Sequence, residues 1–140
     1  MSKDLVNHPD HYAFYKTTYE PCDATERLPH PFASAVEYIL RSPLKGTELL
    51  DLRKALWWIT RLDGNDNAYM GIRNVLLDAA SAAPLAAMCS NHSLLNQWWF
   101  AVHINELSCD TIRDAIADLR KELLMYIADL ESKSKEHEDD

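Results

Sequence analysis

The run Glu48-Leu49-Leu50-Asp51-Leu52-Arg53-Lys54-Ala55-Leu56-Trp57-Trp58-Ile59-Thr60-Arg61-Leu62 decides the fold class. Leu49, Leu52, Leu56 and Ile59 recur at steps of three and four, the repeat that lines one side of an α-helix. Leu50, Lys54, Trp57 and Arg61 make a second stripe roughly opposite. A plain surface helix has no need of Trp57 between two cations. That face either packs on another element or presents an aromatic plane with fixed positive charge. Pro43 and Gly46 interrupt the chain just upstream, and Thr47 is the expected N-cap of a helix over 48–62.

Outward from this helix the same period continues. Residues 32–41 place Phe32, Ala35, Val36 and Ile39 on one side and Ser34, Glu37, Tyr38 and Arg41 on the other. Asp63-Gly64-Asn65-Asp66 signals a turn, after which a third helix is expected over 67–83, stopped by Pro84. A fourth is expected over 94–107. A fifth starts at a Ser108 or Asp110 cap and runs to about residue 133, with Ile112, Ile116, Leu119, Leu123, Tyr126 and Leu130 as its seam. The first thirty residues carry three prolines and no sustained period, which predicts an irregular arm with one helical turn near 23–28. No segment alternates like a strand. The expectation is an all-α, compact bundle of about five helices in one domain over 1–133, with an acidic tail over 134–140.

A length of 140 residues is enough to bury a core without disulfides, and three cysteines without Cys-x-x-Cys spacing read as structural thiols. A net charge of −8 argues against general nucleic-acid binding, which requires a basic face. No apolar run of membrane-spanning length and no leader pattern occur, so a cytoplasmic protein without membrane contact is expected. Asp51-Leu52-Arg53-Lys54 recurs as Asp118-Leu119-Arg120-Lys121, each preceded by an Ala-Val pair, Ala35-Val36 and Ala101-Val102. This echo is compatible with a duplicated helical hairpin.

The polar residues of the first half suit a phosphate ligand. No Gly-rich phosphate loop is present, but Arg41, Lys45, Lys54 and Arg61 could converge as cations. Tyr12, Tyr38 or Trp57 could stack on a base, and Asn7 could read its edge. The plain alternative is that Arg41 pairs with Glu37 one turn earlier and Lys54 points to solvent. Glu37, Glu48 and Asp51 raise a further alternative, a Mg²⁺ cluster of the kind found in all-α nucleoside triphosphate pyrophosphohydrolases. Cys89-Ser90-Asn91-His92 puts a thiol near an imidazole in sequence, where a loop between helices is the simpler expectation.

Asn7-x-Pro9-x-His11-Tyr12, Glu20 through Asp23, Tyr38-x-x-Arg41, Lys45-Gly46 and Asp51-Leu52-x-Lys54-Ala55-x-Trp57 together resemble the SaV-like family of small bacteriophage proteins. That family includes a phage nucleotide kinase that lacks a Walker motif. The resemblance covers about residues 5–62 and leaves 63–133 unmatched. It implies a helical homo-oligomer in the host cytoplasm that binds deoxynucleoside phosphates, with a nucleoside triphosphate as phosphate donor and no firmly implied cofactor. Under it Arg41 and Lys54 are the catalytic cations, and Asn7, His11, Tyr12, Tyr38, Lys45 and Trp57 contact substrate. The chain carries Ser34 and Glu37 where the family pattern has Asn and Lys, which reverses the local charge at Glu37. A scaffold reused to bind a host protein or sequester a nucleotide signal is the non-enzymatic alternative, favoured by the Trp57-Trp58 and Trp98-Trp99 pairs. Mg²⁺ enters only with the pyrophosphohydrolase alternative.

Overall fold

The computed structural model describes residues 19–44 and 46–138, so the expected arm before residue 19 lies outside it. The described residues form seven helices and no strand: α1 Pro21–Thr25, α2 His30–Arg41, α3 Glu48–Thr60, α4 Asp66–Leu77, α5 Ala79–Cys89, α6 Ser93–Ile104 and α7 Cys109–Glu138. The all-α expectation stands; the expected number of about five does not. One expected helical turn is a true short helix, α1, and one expected helix is two.

The split falls at Asp78. Its backbone is extended, ending α4, and its carboxylate accepts the Ser81 hydroxyl at 2.6 Å to steady the first turn of α5. Pro84 does not stop the chain but lies inside α5 with its ring buried. A mid-helix proline leaves the carbonyl four residues back without its donor. Here that residue is the exposed Ala80, whose carbonyl can take water instead.

Two helical hairpins, α2–α3 and α6–α7, make the central four-helix bundle, with α3 packed along α7. α1, α4 and α5 pack around it, α1 against α2 and α5, and α4 against α5 and α7. Phe32, Ala35, Val36 and Ile39 of α2 and Leu52, Ala55 and Ile59 of α3 are buried, whereas Leu49 and Leu56 are only partly so. The α3 seam is therefore rotated slightly from the expected stripe. Gly64, at φ +71°, turns the chain from α3 to α4. The Tyr69 hydroxyl clamps that turn, donating to Leu62 O at 2.6 Å and accepting from Gly64 N–H at 3.1 Å.

The helix starts follow local chemistry. Asn65 caps α4 by accepting from Ala68 N–H, and Ser108, not Asp110, caps α7 by accepting from Thr111 N–H. Thr47 precedes α3 but its hydroxyl donates to the Asp51 carboxylate at 3.0 Å rather than capping. α7 runs to Glu138, past the expected end near 133, and is about 45 Å long.

The internal echo falls on matching helices, Ala-Val on α2 and α6, Asp-Leu-Arg-Lys on α3 and α7. Phe32 and Trp98 each lie three residues before their Ala-Val pair, and their rings meet at 4.8 Å. Arg53 of α3 pairs with Glu131 of α7 at 2.9 Å, while Arg120 of α7 reaches Thr60 of α3 at 3.4 Å. Phe32 meeting its counterpart Trp98 is compatible with an approximate twofold relation between the hairpins; the two arginine contacts are not equivalent, since Glu131 corresponds to Gly64 rather than Thr60.

Candidate functional site

On the outer side of the first hairpin the polar face of α2 meets α3. His30, Ser34, Glu37, Tyr38 and Arg41 share one face of α2 and, with Trp58 of α3, line a cavity of about 290 Å³. The cavity has an aromatic end and a cationic end. His30 meets Trp58 edge-on at 4.9 Å, and Trp58 meets Trp57 edge-on at 4.8 Å. At the other end the Arg41 guanidinium lies 5.1 Å from the Tyr38 ring centre, and the Lys54 ammonium, from α3, lies 5.5 Å from it. Two cations from different helices thus share one aromatic platform.

Arg41 is held from beneath. Asp51 is 1% exposed and its Oδ1 lies 3.4 Å from Arg41 Nη2, while its Oδ2 accepts from Thr47. At that distance the contact is an ion pair rather than a hydrogen bond. Arg41 Nε and Asp51 Oδ1 are buried and make no hydrogen bond within the described residues. The expected Arg41–Glu37 pair is replaced by Arg41–Asp51. Glu37 instead accepts the Thr25 hydroxyl of α1 at 2.8 Å.

The structure brings Tyr38, Arg41 and Lys54 together and leaves Trp57 beside them rather than among them. Trp57 is 54% exposed, under the Arg61 guanidinium at 4.3 Å, and Trp58 takes the wall position instead. Asn7, His11, Tyr12 and Lys45 lie outside the described residues. His30 and Trp58 escaped the sequence reading. Extending the Ser34–Arg41 stripe back by one turn finds His30; Pro31 obscured it, although proline fits the first turn of a helix. The carboxylates considered for Mg²⁺ have separate surroundings: Glu37 beside Thr25, Asp51 beneath Arg41, and Glu48 near Tyr126, whose hydroxyl pKa is raised by burial and by that carboxylate. No cluster of three or more His, Cys, Asp or Glu suited to a metal occurs among the described residues.

Cys89 and His92 do not form a nucleophile–base pair. Burial pushes the Cys89 thiol up to about 12, leaving it protonated and inert. His92 is buried and caps α6, its Nδ1 accepting from Leu94 N–H at 3.2 Å. Burial also lowers its pKa from the ordinary 6.5. The unfolded chain therefore takes up the proton more readily than the folded one. Stability from this group is complete above the ordinary value and is lost as the pH falls below it toward the folded value. Substituting His92→Asn, which can cap without titrating, is expected to flatten the fall in unfolding midpoint between about pH 7.5 and about pH 5. Parallel melts of the two proteins check this, and an unchanged slope would assign the acid sensitivity to other groups.

No helix among the described residues is long and apolar enough to cross a membrane. Comparison of the chain with protein-family models, curated proteins and solved structures finds no match.

Proposed function

We propose that this chain binds a nucleotide in the α2–α3 cleft and, by its resemblance to the SaV-like family, transfers a phosphoryl group to a deoxynucleoside monophosphate. The observation that carries the proposal is the pairing of Arg41 and Lys54 on Tyr38 at one end of an aromatic-walled cavity. Phosphates belong at that end, where Arg41 offers N–H donors already aimed by Asp51 and Lys54 adds a mobile charge. The base belongs against His30 and Trp58, whose rings offer stacking surface. Glu37 accepts the Thr25 hydroxyl but lines the same cavity one helical turn from Arg41, so its negative charge opposes phosphate there and has to be outweighed by Arg41 and Lys54.

Phosphoryl transfer needs little covalent chemistry from a protein; alignment of donor and acceptor and neutralisation of the moving charge supply most of the rate. The resemblance assigns Asn7, His11, Tyr12 and Lys45 to the same ligand. It also implies a homo-oligomer in a phage-infected host cytoplasm.

A panel of nucleoside mono-, di- and triphosphates in a thermal-shift assay tests binding. Transfer of labelled phosphate from triphosphate to monophosphate, with and without Mg²⁺, tests the reaction. A raised midpoint and labelled diphosphate are expected. Neither binding nor transfer at millimolar nucleotide would end the proposal, and chelator-sensitive pyrophosphate release abolished by Glu48→Gln would replace it with the hydrolase alternative.

A further inference from the structure

The second hairpin keeps the frame of the first and loses its cover. Counting from the Ala-Val pairs, Tyr38 and Arg41 correspond to Ile104 and Leu107; aligned on the Asp-Leu-Arg-Lys runs, one residue further along, Asp51 and Lys54 correspond to Asp118 and Lys121. In the first hairpin Arg41 spans to α3 and Asp51 is buried. In the second no cation spans from α6, and Asp118 is exposed on the wall of an open furrow.

That furrow is continuous. Two adjoining cavities of about 260 and about 250 Å³ share Ala101, Ala115 and Asp118 between α6 and α7. The facing alanines make a shallow floor. On the α6 side Ile104, in the lining, is 76% exposed; Phe100, one turn earlier on α6 and outside the lining, is 60% exposed. The other rim is mostly acidic, with Asp114, Asp118 and Glu122 one turn apart along α7; Lys121 lines it too, and Asp114 is paired with Arg113 at 3.1 Å. From Leu94 to Asn105 the furrow follows about 16 Å of helix, or three turns. Trp98 lies in its wall, and its buried indole N–H has no hydrogen-bond partner among the described residues.

We infer that the α6–α7 furrow docks a cationic amphipathic helix from a partner protein. Its apolar residues, at i, i+3 or i+4, and i+7, seat on Ile104 and the alanine floor, and its Lys or Arg residues face Asp118 and Glu122. Charge selects this occupant. A second copy of a chain with net charge −8 would bring another acidic surface against the acidic rim, and anionic lipid would be repelled in the same way. A basic helix answers both rims at once.

Fluorescence anisotropy on the full chain tests this with a labelled Leu/Lys peptide patterned as an amphipathic helix of about five turns, against a scrambled peptide of the same composition. Patterned peptide is expected to bind at least about tenfold more tightly than scrambled. Ile104→Ser, and separately the pair Asp118→Lys with Glu122→Lys, should each weaken it by about tenfold. Glu26→Lys with Asp63→Lys, an equal charge change at exposed sites elsewhere, should have far less effect. Circular dichroism of each variant confirms that these surface changes leave the fold intact. Equal binding of scrambled peptide, or equal weakening by the remote pair, would overturn the inference by reducing it to bulk charge. A dimer in sedimentation that Phe100→Ser dissolves would overturn it in favour of a second copy.

Discussion

Truncating Trp98 to alanine is expected to lower the free energy of unfolding by about 3–5 kcal/mol, a large share of the total for a domain of this size. Trp98 is 2% exposed and packs on Phe32 where the two hairpins cross. Its loss leaves a cavity that Trp99, 6.5 Å away between ring centres, cannot fill without leaving its own contact with His103. Phe32→Ala opens the same space from the other hairpin and should cost a similar amount. The double variant should then cost less than the sum by about 1 kcal/mol, the coupling expected of an aromatic pair. Trp98→Phe keeps a ring while removing the unpartnered N–H, so its cost should be only about 1 kcal/mol. Urea unfolding of the four variants makes the comparison. A Trp98→Ala loss below that of Trp98→Phe would show that the hairpins are not held together at this crossing.

Arg41→Ala is expected to weaken nucleotide binding by about 10- to 100-fold, the worth of charge-assisted hydrogen bonds to phosphate. It should also destabilise the protein, because Asp51 then keeps a buried charge without its counter-ion. A fully buried pair broken in this way costs about 3–5 kcal/mol. Arg41 is 38% exposed on its side chain, so water already screens the pair and about 1–3 kcal/mol is the better expectation. Adding Asp51→Asn removes the stranded charge, and stability should recover while nucleotide affinity does not. Lys54→Ala, at an exposed position, should weaken binding by about tenfold and leave the unfolding midpoint nearly unchanged. Titration calorimetry with a nucleoside triphosphate, beside thermal melts, separates the two roles. If affinity returns together with stability in the double variant, Arg41 acts on the fold and not on phosphate.

Periodicity made α2, α3 and α7 legible because each has one side in a shared core and another in water. The α4–α5 break was not legible, since the alanine-rich run from 79 to 83 suits a helix continuing in either direction. What ends α4 is the extended backbone and side-chain bond of Asp78, and nothing in the spacing marks it. Pro84 then misled by its usual meaning: a buried ring with an exposed carbonyl one turn back is tolerated. At the site, residue type and the resemblance singled out Tyr38, Arg41 and Lys54. Neither could identify Asp51 as the counter-ion of Arg41, because the two residues lie on different helices joined only by the turn of the hairpin. Glu37 was the nearest carboxylate in sequence but not in the pairing. The choice between Trp57 and Trp58 depended on about 100° of rotation around α3, finer than a stripe resolves.

The four tryptophans also give this molecule an optical readout. Trp98, buried at the crossing of the hairpins with only an edge in the α6–α7 furrow, should emit toward the blue and be largely shielded from dissolved quenchers, so its signal follows the integrity of the bundle. Trp57, largely in water, should emit toward the red and be quenched readily. Trp58 sits in the cleft wall against both Trp57 and His30, so a base arriving there would change its emission while the blue component stayed constant. Occupancy of the cleft and unfolding of the bundle would then be distinguishable in a single spectrum, without a label.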